Sequence, residues 1–158
     1  MFVELYVENL ALIEQASLSW SEGLNVLSGE TGAGKSMVIG AVSLLLGSRA
    51  SKDYIRKGAE SCFVQGTFSA PFDDSVLAAL EEYGLDLDDE LIFSREINIS
   101  GKSVCRINMR QVPLAVFKNL SRRLINIHGQ MEHMSLLEPE NQRQLLDSFG
   151  DNEHRQTL

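Results

Sequence analysis

Apolar and polar positions alternate over residues 2–8 (FVELYVE) and again over 12–20 (LIEQASLSW). A period of two sends successive side chains to opposite faces, so both runs predict half-buried strands, with the Asn9 region turning between them in an antiparallel opening. Residues 24–27 (LNVL) follow Gly23 as a short apolar run of the buried-strand kind. A glycine-rich loop then leads into a helix predicted over 35–46. Gly47 closes it, because glycine enters the left-handed region without steric cost. Further on, 62–68 reads as a strand and 73–83 as an N-capped helix ending at Gly84. Residues 91–97 form another strand, which returns over 103–108 across Ser100-Gly101 as a hairpin. Pro113 suits the first turn of a helix through Leu120, residues 124–127 (LINI) are a second buried-strand candidate, and Pro139 starts a helix running towards Phe149. No internal repeat or low-complexity linker interrupts the chain. Strands mixed with helices in this order predict an α/β fold.

The loop between the LNVL run and the first helix holds the sharpest chemistry. Gly29-Glu30-Thr31-Gly32-Ala33-Gly34-Lys35-Ser36 satisfies the pattern G-x-x-x-x-G-K-[ST], and it stands between a predicted strand and a predicted helix, as a P-loop requires. Its glycines let the backbone wrap around phosphate with successive N–H groups pointing inward, and the helix adds its positive end to the same anion. Lys35 is expected to reach the β- and γ-phosphates of ATP, and the Ser36 hydroxyl to coordinate Mg2+. Glu30 and Thr31 are assigned backbone roles only. A second Gly-Lys-Ser, at Gly101 to Ser103, has no glycine five residues before it and lies between two strands, so it reads as a hairpin turn.

Composition narrows the setting. The chain has 158 residues, 44% of them hydrophobic, enough for one ordinary core. Cys62 and Cys105 stand far apart with no Cys-x-x-Cys or Cys/His cluster, which points to reduced core thiols rather than zinc or a disulfide. His128 and His133 lack the i, i+4 spacing of two ligands on one helix face. No apolar run reaches the roughly 18 residues needed to span a bilayer, and the start carries no basic signal, so a soluble cytoplasmic protein is expected. The net charge of −8 argues against a surface that attracts DNA everywhere. Any nucleic-acid contact must be local. The acids gather at Asp73, Asp74, Glu81, Glu82, Asp86, Asp88, Asp89 and Glu90, which reads as a solvated helix-and-loop surface.

Several segments around the loop carry a resemblance to a known family. Asn9-Leu10-Ala11-Leu12-Ile13-Glu14, Gly23-Leu24-Asn25-Val26-Leu27 running into GETGAGKS, Leu44-Leu45-Leu46-Gly47-Ser48-Arg49-Ala50 and Ile127-His128-Gly129-Gln130 together resemble the SMC-like ATPases, on their DNA-repair branch. The resemblance implies a P-loop NTPase of ABC type, with a mixed sheet and flanking helices. In such a head two lobes are joined by a long antiparallel coiled coil. Residues 1–150 match the N-terminal lobe, and 151–158 the start of a truncated coiled-coil or helical extension. It implies ATP and Mg2+ as cofactors. As partners it implies DNA, the second lobe of the same head, a second copy through head–head pairing, and a recombinase of the RecA kind. The setting the resemblance implies is recombinational repair of double-strand breaks at the nucleoid. Two elements of the complete site are absent from this sequence: an apolar run ending in Asp-Glu and a Leu-Ser-Gly-Gly signature.

By the same resemblance Gln130 takes the place of the glutamine that helps hold Mg2+ and orients attacking water, a task an amide performs without adding charge. Arg56 takes the place of an arginine that meets phosphate or the opposing head, for which its rigid fork of donors is suited. A solvated arginine is the other reading. Arg49 and Lys52 form a small basic patch, the best local candidate for DNA or head–head contact. Two positions depart from the pattern: Gly40 where Asp is usual, and Met109 after Arg106-Ile107-Asn108 where Gly is usual. Two further functions fit the composition, a non-catalytic nucleotide-holding and dimerisation module and a transporter nucleotide-binding subunit. The latter normally has an aromatic just before the P-loop, and here only Trp20 comes close.

Overall fold

A computed structural model describes residues 1–29 and 34–127. Strand β1 (Phe2–Leu10) turns into β2 (Ile13–Ser19), as the alternation predicts. The turn sets both Asn9 and Ala11 at positive φ, 51° and 50°. Then come helix α1 (Lys35–Leu45), a 3-10 turn (Lys52–Tyr54), β3 (Ser61–Ser69), α2 (Asp74–Glu82), β4 (Glu90–Asn98), β5 (Ser103–Ile107), β6 (Arg110–Val112) and α3 (Leu114–Leu124). The strands make one sheet in the order β2-β1-β3-β4-β5-β6, with every described pairing antiparallel.

One face of the sheet is apolar and covered by helices. The register places Leu5 opposite Leu18 and Val7 opposite Ala16, while Val64, Phe68, Leu91, Phe93, Ile97 and Ile107 are buried further along. Phe2, Phe68, Phe93 and Phe117 form a ring-to-ring series with centroids 4.9, 5.6 and 5.4 Å apart. Helix α1 lies close on this face because β3 carries Gly66, where an added Cβ would stand 2.8 Å from Leu45 Cδ1. The end of α1 is a left-handed closure: Gly47 has φ 79°, its N–H donates to Leu44 O at 3.1 Å, and Ser48 N–H donates to Ser43 O at 3.1 Å.

Two strand expectations are corrected. Residues 24–27 form no strand, and Leu24, Val26 and Leu27 are 90%, 76% and 42% exposed. The run contains Asn25, whose side chain bonds back to Ser21 N–H and Ser21 O, a local closure that competes with strand pairing. Residues 124–127 form no strand either. Leu124 continues the face of α3 that buries Phe117, Leu120 and Ser121, at the i, i+3, i+4, i+7 spacing of one helical stripe, so the helix runs on past Leu120 and captures it. Pro113 is the N-cap of α3, with ψ 147°, rather than a residue of its first turn.

One strand escaped the sequence reading. The hairpin β5–β6 pairs Ile107 with Arg110 across a two-residue turn in which Asn108 and Met109 have φ 45° and 66°. Such a turn favours Asn-Gly, and Met109 takes the second place at a steric cost of roughly 1–2 kcal/mol. Asn108 offsets it: its Oδ1 accepts from Ile92 N–H at 2.8 Å. Chain contacts set Met1–Ile125 apart as one unit. The helix expected after Pro139 lies outside the described residues.

Candidate functional site

Helix α1 begins at Gly34, whose φ of 93° turns the loop into the helix. Its carbonyl accepts from Met37 N–H at 2.9 Å and Val38 N–H at 3.3 Å, so the intrahelical ladder starts at Met37. The amides ahead of that point are the ones a helix offers to an anion. Among the described residues no side chain caps this end and no acid stands in the first turn of α1, where the helix dipole is positive. The Lys35 ammonium donates to Gly29 O, joining the first and seventh residues of the octapeptide. Ser36 is exposed at the same helix end. Backbone amides, an ammonium and a hydroxyl converging here suit a polyphosphate with a hard divalent cation. Glu30, Thr31, Gly32 and Ala33, the middle of the loop, lie outside the described residues, as do His128, Gln130 and His133.

An apolar cleft of about 280 Å3 adjoins the lysine, walled by Leu5, Val7, Ile13, Ala16 and Leu18 of the first hairpin and by Leu27 and Val38. Just ahead of it, Asn25 closes the approach to the loop. Its Oδ1 accepts from Ser21 N–H and Ser21 Oγ, both at 3.2 Å, and its Nδ2 donates to Ser21 O at 2.7 Å. Sequence reasoning had given Asn25 no structural task, although an Asn after Gly-Leu in a turn-rich stretch is a usual signal for such a side-chain closure.

Arg56 sits on the loop after the 3-10 turn and is tied to the β1–β2 turn. Its Nη1 donates to Leu12 O at 2.9 Å and its Nη2 lies 3.3 Å from Glu14 Oε2. Backbone bonds from Ala11 N–H to Tyr54 O, 2.7 Å, and from Arg56 N–H to Asn9 O, 2.8 Å, stitch the same two segments together. Arg49 and Lys52 are exposed on the chain between α1 and this point. Thus Arg49, Lys52 and Arg56 share one connecting loop, and the NLALIE and YIRKG segments form one structural unit.

At the other end of α1 stands Arg95, which sequence reasoning missed. It is buried on β4, with Nη1 donating to Leu44 O at 2.8 Å and Ser48 O at 2.7 Å, and Nε donating to Ser103 Oγ at 2.9 Å. Burial presses its pKa below the usual arginine value. The signal was present in the sequence, since Arg95 falls on the apolar face of a strand whose other positions there are Leu91, Phe93 and Ile97. Cys62 and Cys105 flank the same region, and burial raises both thiol pKa values, which keeps them neutral. Among the described residues no group of His, Cys, Asp and Glu is arranged to hold a metal ion, and no helix is long and apolar enough to cross a membrane.

Comparison with known proteins bears on this geometry. Residues 4–153 match the model of a family described as an AAA domain. The chain is 43% identical over its whole length to the DNA repair protein RecN of Bacillus subtilis (strain 168), of which it covers 28%. Against the DNA repair protein RecN of Streptomyces coelicolor it is 38% identical over 91% of its length, covering 25% of that protein. The chain therefore spans about a quarter of the curated relatives it matches. Among solved structures, the Smc head domain with a coiled coil and joint from Pyrococcus yayanosii superposes with a TM-score of 0.70 at 20% identity, covering 92% of this chain and 31% of that one. The recombination mediator RecF bound to ATP gives 0.60 at 22% identity, covering 92% and 36%. A structure from work on ATP-driven dimerization and DNA-stimulated activation of SMC ATPases gives 0.67 at 22% identity, covering 94% and 99%. At these identities the structural likeness establishes the fold. The chain belongs to the AAA domain family, with the fold of an SMC-type ATPase head lobe and homology to the N-terminal part of RecN DNA repair proteins.

Proposed function

We propose that the chain is the ATP-binding lobe of a RecN-like DNA repair protein, in which nucleotide joins two heads and hydrolysis releases them, changing the grip on DNA during recombinational repair of double-strand breaks. The observation that carries this reading is the octapeptide ending on the N-terminus of α1, with Lys35 bonded across it to Gly29. Residues 29–36 bind the phosphates, with Lys35 on the β- and γ-phosphates. Ser36 and Gln130 hold Mg2+, and Gln130 orients the attacking water. Residues 1–150 form the lobe and 151–158 begin the extension towards the coiled coil. The exposed apolar residues Leu24, Val26, Leu27 and Ile39 support a second lobe packing beside α1, because an apolar surface of that kind is normally covered by a partner. Arg49, Lys52 and Arg56 contact DNA or the opposing head. For Arg56 this requires exchanging its Glu14 and Leu12 partners for phosphate. A second copy of the chain, DNA and a recombinase of the RecA kind are the proposed partners, and the cytoplasm, at the nucleoid, the proposed location.

Phosphoryl transfer to water asks little covalent chemistry of the protein, but it does need a positioned water and a general base. The sequence has no apolar run ending in Asp-Glu to supply that base. The purified chain is therefore expected to hydrolyse Mg·ATP at a near-background rate, and addition of the second lobe to restore turnover. In the two-lobe protein Gln130→Ala should lower kcat by at least about tenfold with little change in KM, the pattern of an interaction made mainly in the transition state. Vigorous hydrolysis by the chain alone, lost in Lys35→Ala, would contradict the division of labour. Failure of the second lobe to restore turnover would favour a nucleotide-holding module that only brings heads together.

A further inference from the structure

A buried guanidinium is a costly choice. Arg95 is 2% exposed, on the sheet face that α1 covers, and its neighbours on that face of β4, Leu91, Phe93 and Ile97, are each at most 1% exposed. The ion pairs among the described residues are Arg56–Glu14 and Arg106–Glu96, so no described carboxylate neutralises Arg95. Desolvating such a charge costs several kcal/mol, whereas a methionine would fill the space without that penalty.

What compensates the charge is the end of α1. The two carbonyls that accept from Nη1, Leu44 O and Ser48 O, lie in and just beyond the last turn of the helix, where its dipole is negative. The helix has no basic residue in its own last turn and no acid in its first. A cation for one end and an anion for the other must come from outside it. The two bonds bracket the left-handed closure at Gly47, and the third, to Ser103 Oγ, fixes the guanidinium plane against β5.

An 11-residue helix is a rod of about 16 Å, so its two ends move together. The other buried side chains of α1, those of Ala41, Val42, Leu44 and Leu45, are apolar. Apolar contacts resist separation but set axial height and rotation less sharply than directional hydrogen bonds do. We propose that Arg95 is a positioning residue for the phosphate site: by gripping the carbonyls of Leu44 and Ser48 it sets the register of α1 on the sheet and thereby places Lys35 and Ser36. The proposal rests on the nucleotide reading above for its ligand, but not for its mechanics.

The test compares the parent chain with Arg95→Met, Arg95→Lys and a control, Leu80→Ala, which opens a cavity in the buried face of α2. Two quantities are read: Mg·ATP affinity by calorimetry, and amide hydrogen exchange at Met37 and Val38, the first bonded amides of α1, without nucleotide. Arg95→Met should bind Mg·ATP at least about tenfold more weakly and exchange faster at Met37 and Val38, with Arg95→Lys between it and the parent. Leu80→Ala, at an equal or larger loss of thermal stability, should match the parent in both. Parental affinity and exchange in Arg95→Met, or an equal loss in Leu80→Ala, would overturn the proposal. If Arg95→Met does not fold, Arg95→Lys is judged against the same control. A parent chain that binds no Mg·ATP would count against the nucleotide reading, and exchange alone would then decide the role of Arg95.

Discussion

The two ends of α1 carry opposite partial charges and are managed in opposite ways. At the N-terminal end Gly34, Lys35 and Ser36 supply the turn, the ammonium and the hydroxyl, so these features are local in sequence. At the C-terminal end the decisive partner is Arg95, which reaches Leu44 from 51 residues away and Ser48 from 47. In the proposed function the first end receives a ligand, whereas the second already has its partner in Arg95. A helix held fast at one end can present the other as a defined site, and only the presenting end has a sequence motif.

Perturbing the anchored end should have the larger effect on stability. At Gly47 an added Cβ would stand 2.9 Å from Lys118 Cβ, and the φ of 79° disfavours any L side chain. Gly47→Ala should therefore destabilise the chain by about 2–3 kcal/mol, measured by urea unfolding. A loss below about 0.5 kcal/mol would mean that this end of α1 relaxes freely, and the contrast between the two ends would lose its basis.

The middle of the helix gives a smaller effect of opposite sign. An added Cβ at Gly40 would meet only Tyr54 Cε1, at 4.0 Å, an ordinary contact. Gly40→Ala should raise stability by about 0.5–1 kcal/mol in the same assay, by removing backbone entropy from the unfolded chain. Mg·ATP affinity should stay unchanged, because the helix ends do not move. A destabilised variant would show that the space beside Tyr54 is tighter than the geometry indicates.

The legible parts of the fold share one property, that their cause is local. Alternation gave β1 to β5, since a period of two reports a face against a core, and Gly47 and Gly84 marked the ends of α1 and α2. The runs at 24–27 and 124–127 misled because a short, mostly apolar segment reports burial or an interface without saying which partner provides it. Strand β6 was hidden by its three-residue length and by a turn that uses Met109 where glycine would have announced it. In the candidate site the spacing G-x-x-x-x-G-K-[ST] is legible in the sequence alone, and its Lys35 and Ser36 stand at the start of α1. The engagement of Arg56 with Leu12 and Glu14 was not, because it joins positions more than 40 residues apart.

The proposed hold on phosphate at the N-terminal end of α1 is tested most directly by Lys35→Ala. Calorimetric titration with Mg·ATP, run beside thermal unfolding of parent and variant, separates a lost contact from a lost fold. The parent chain should bind Mg·ATP, and Lys35→Ala should show no detectable binding at equal thermal stability. Parental affinity in the variant, at that same stability, would contradict it.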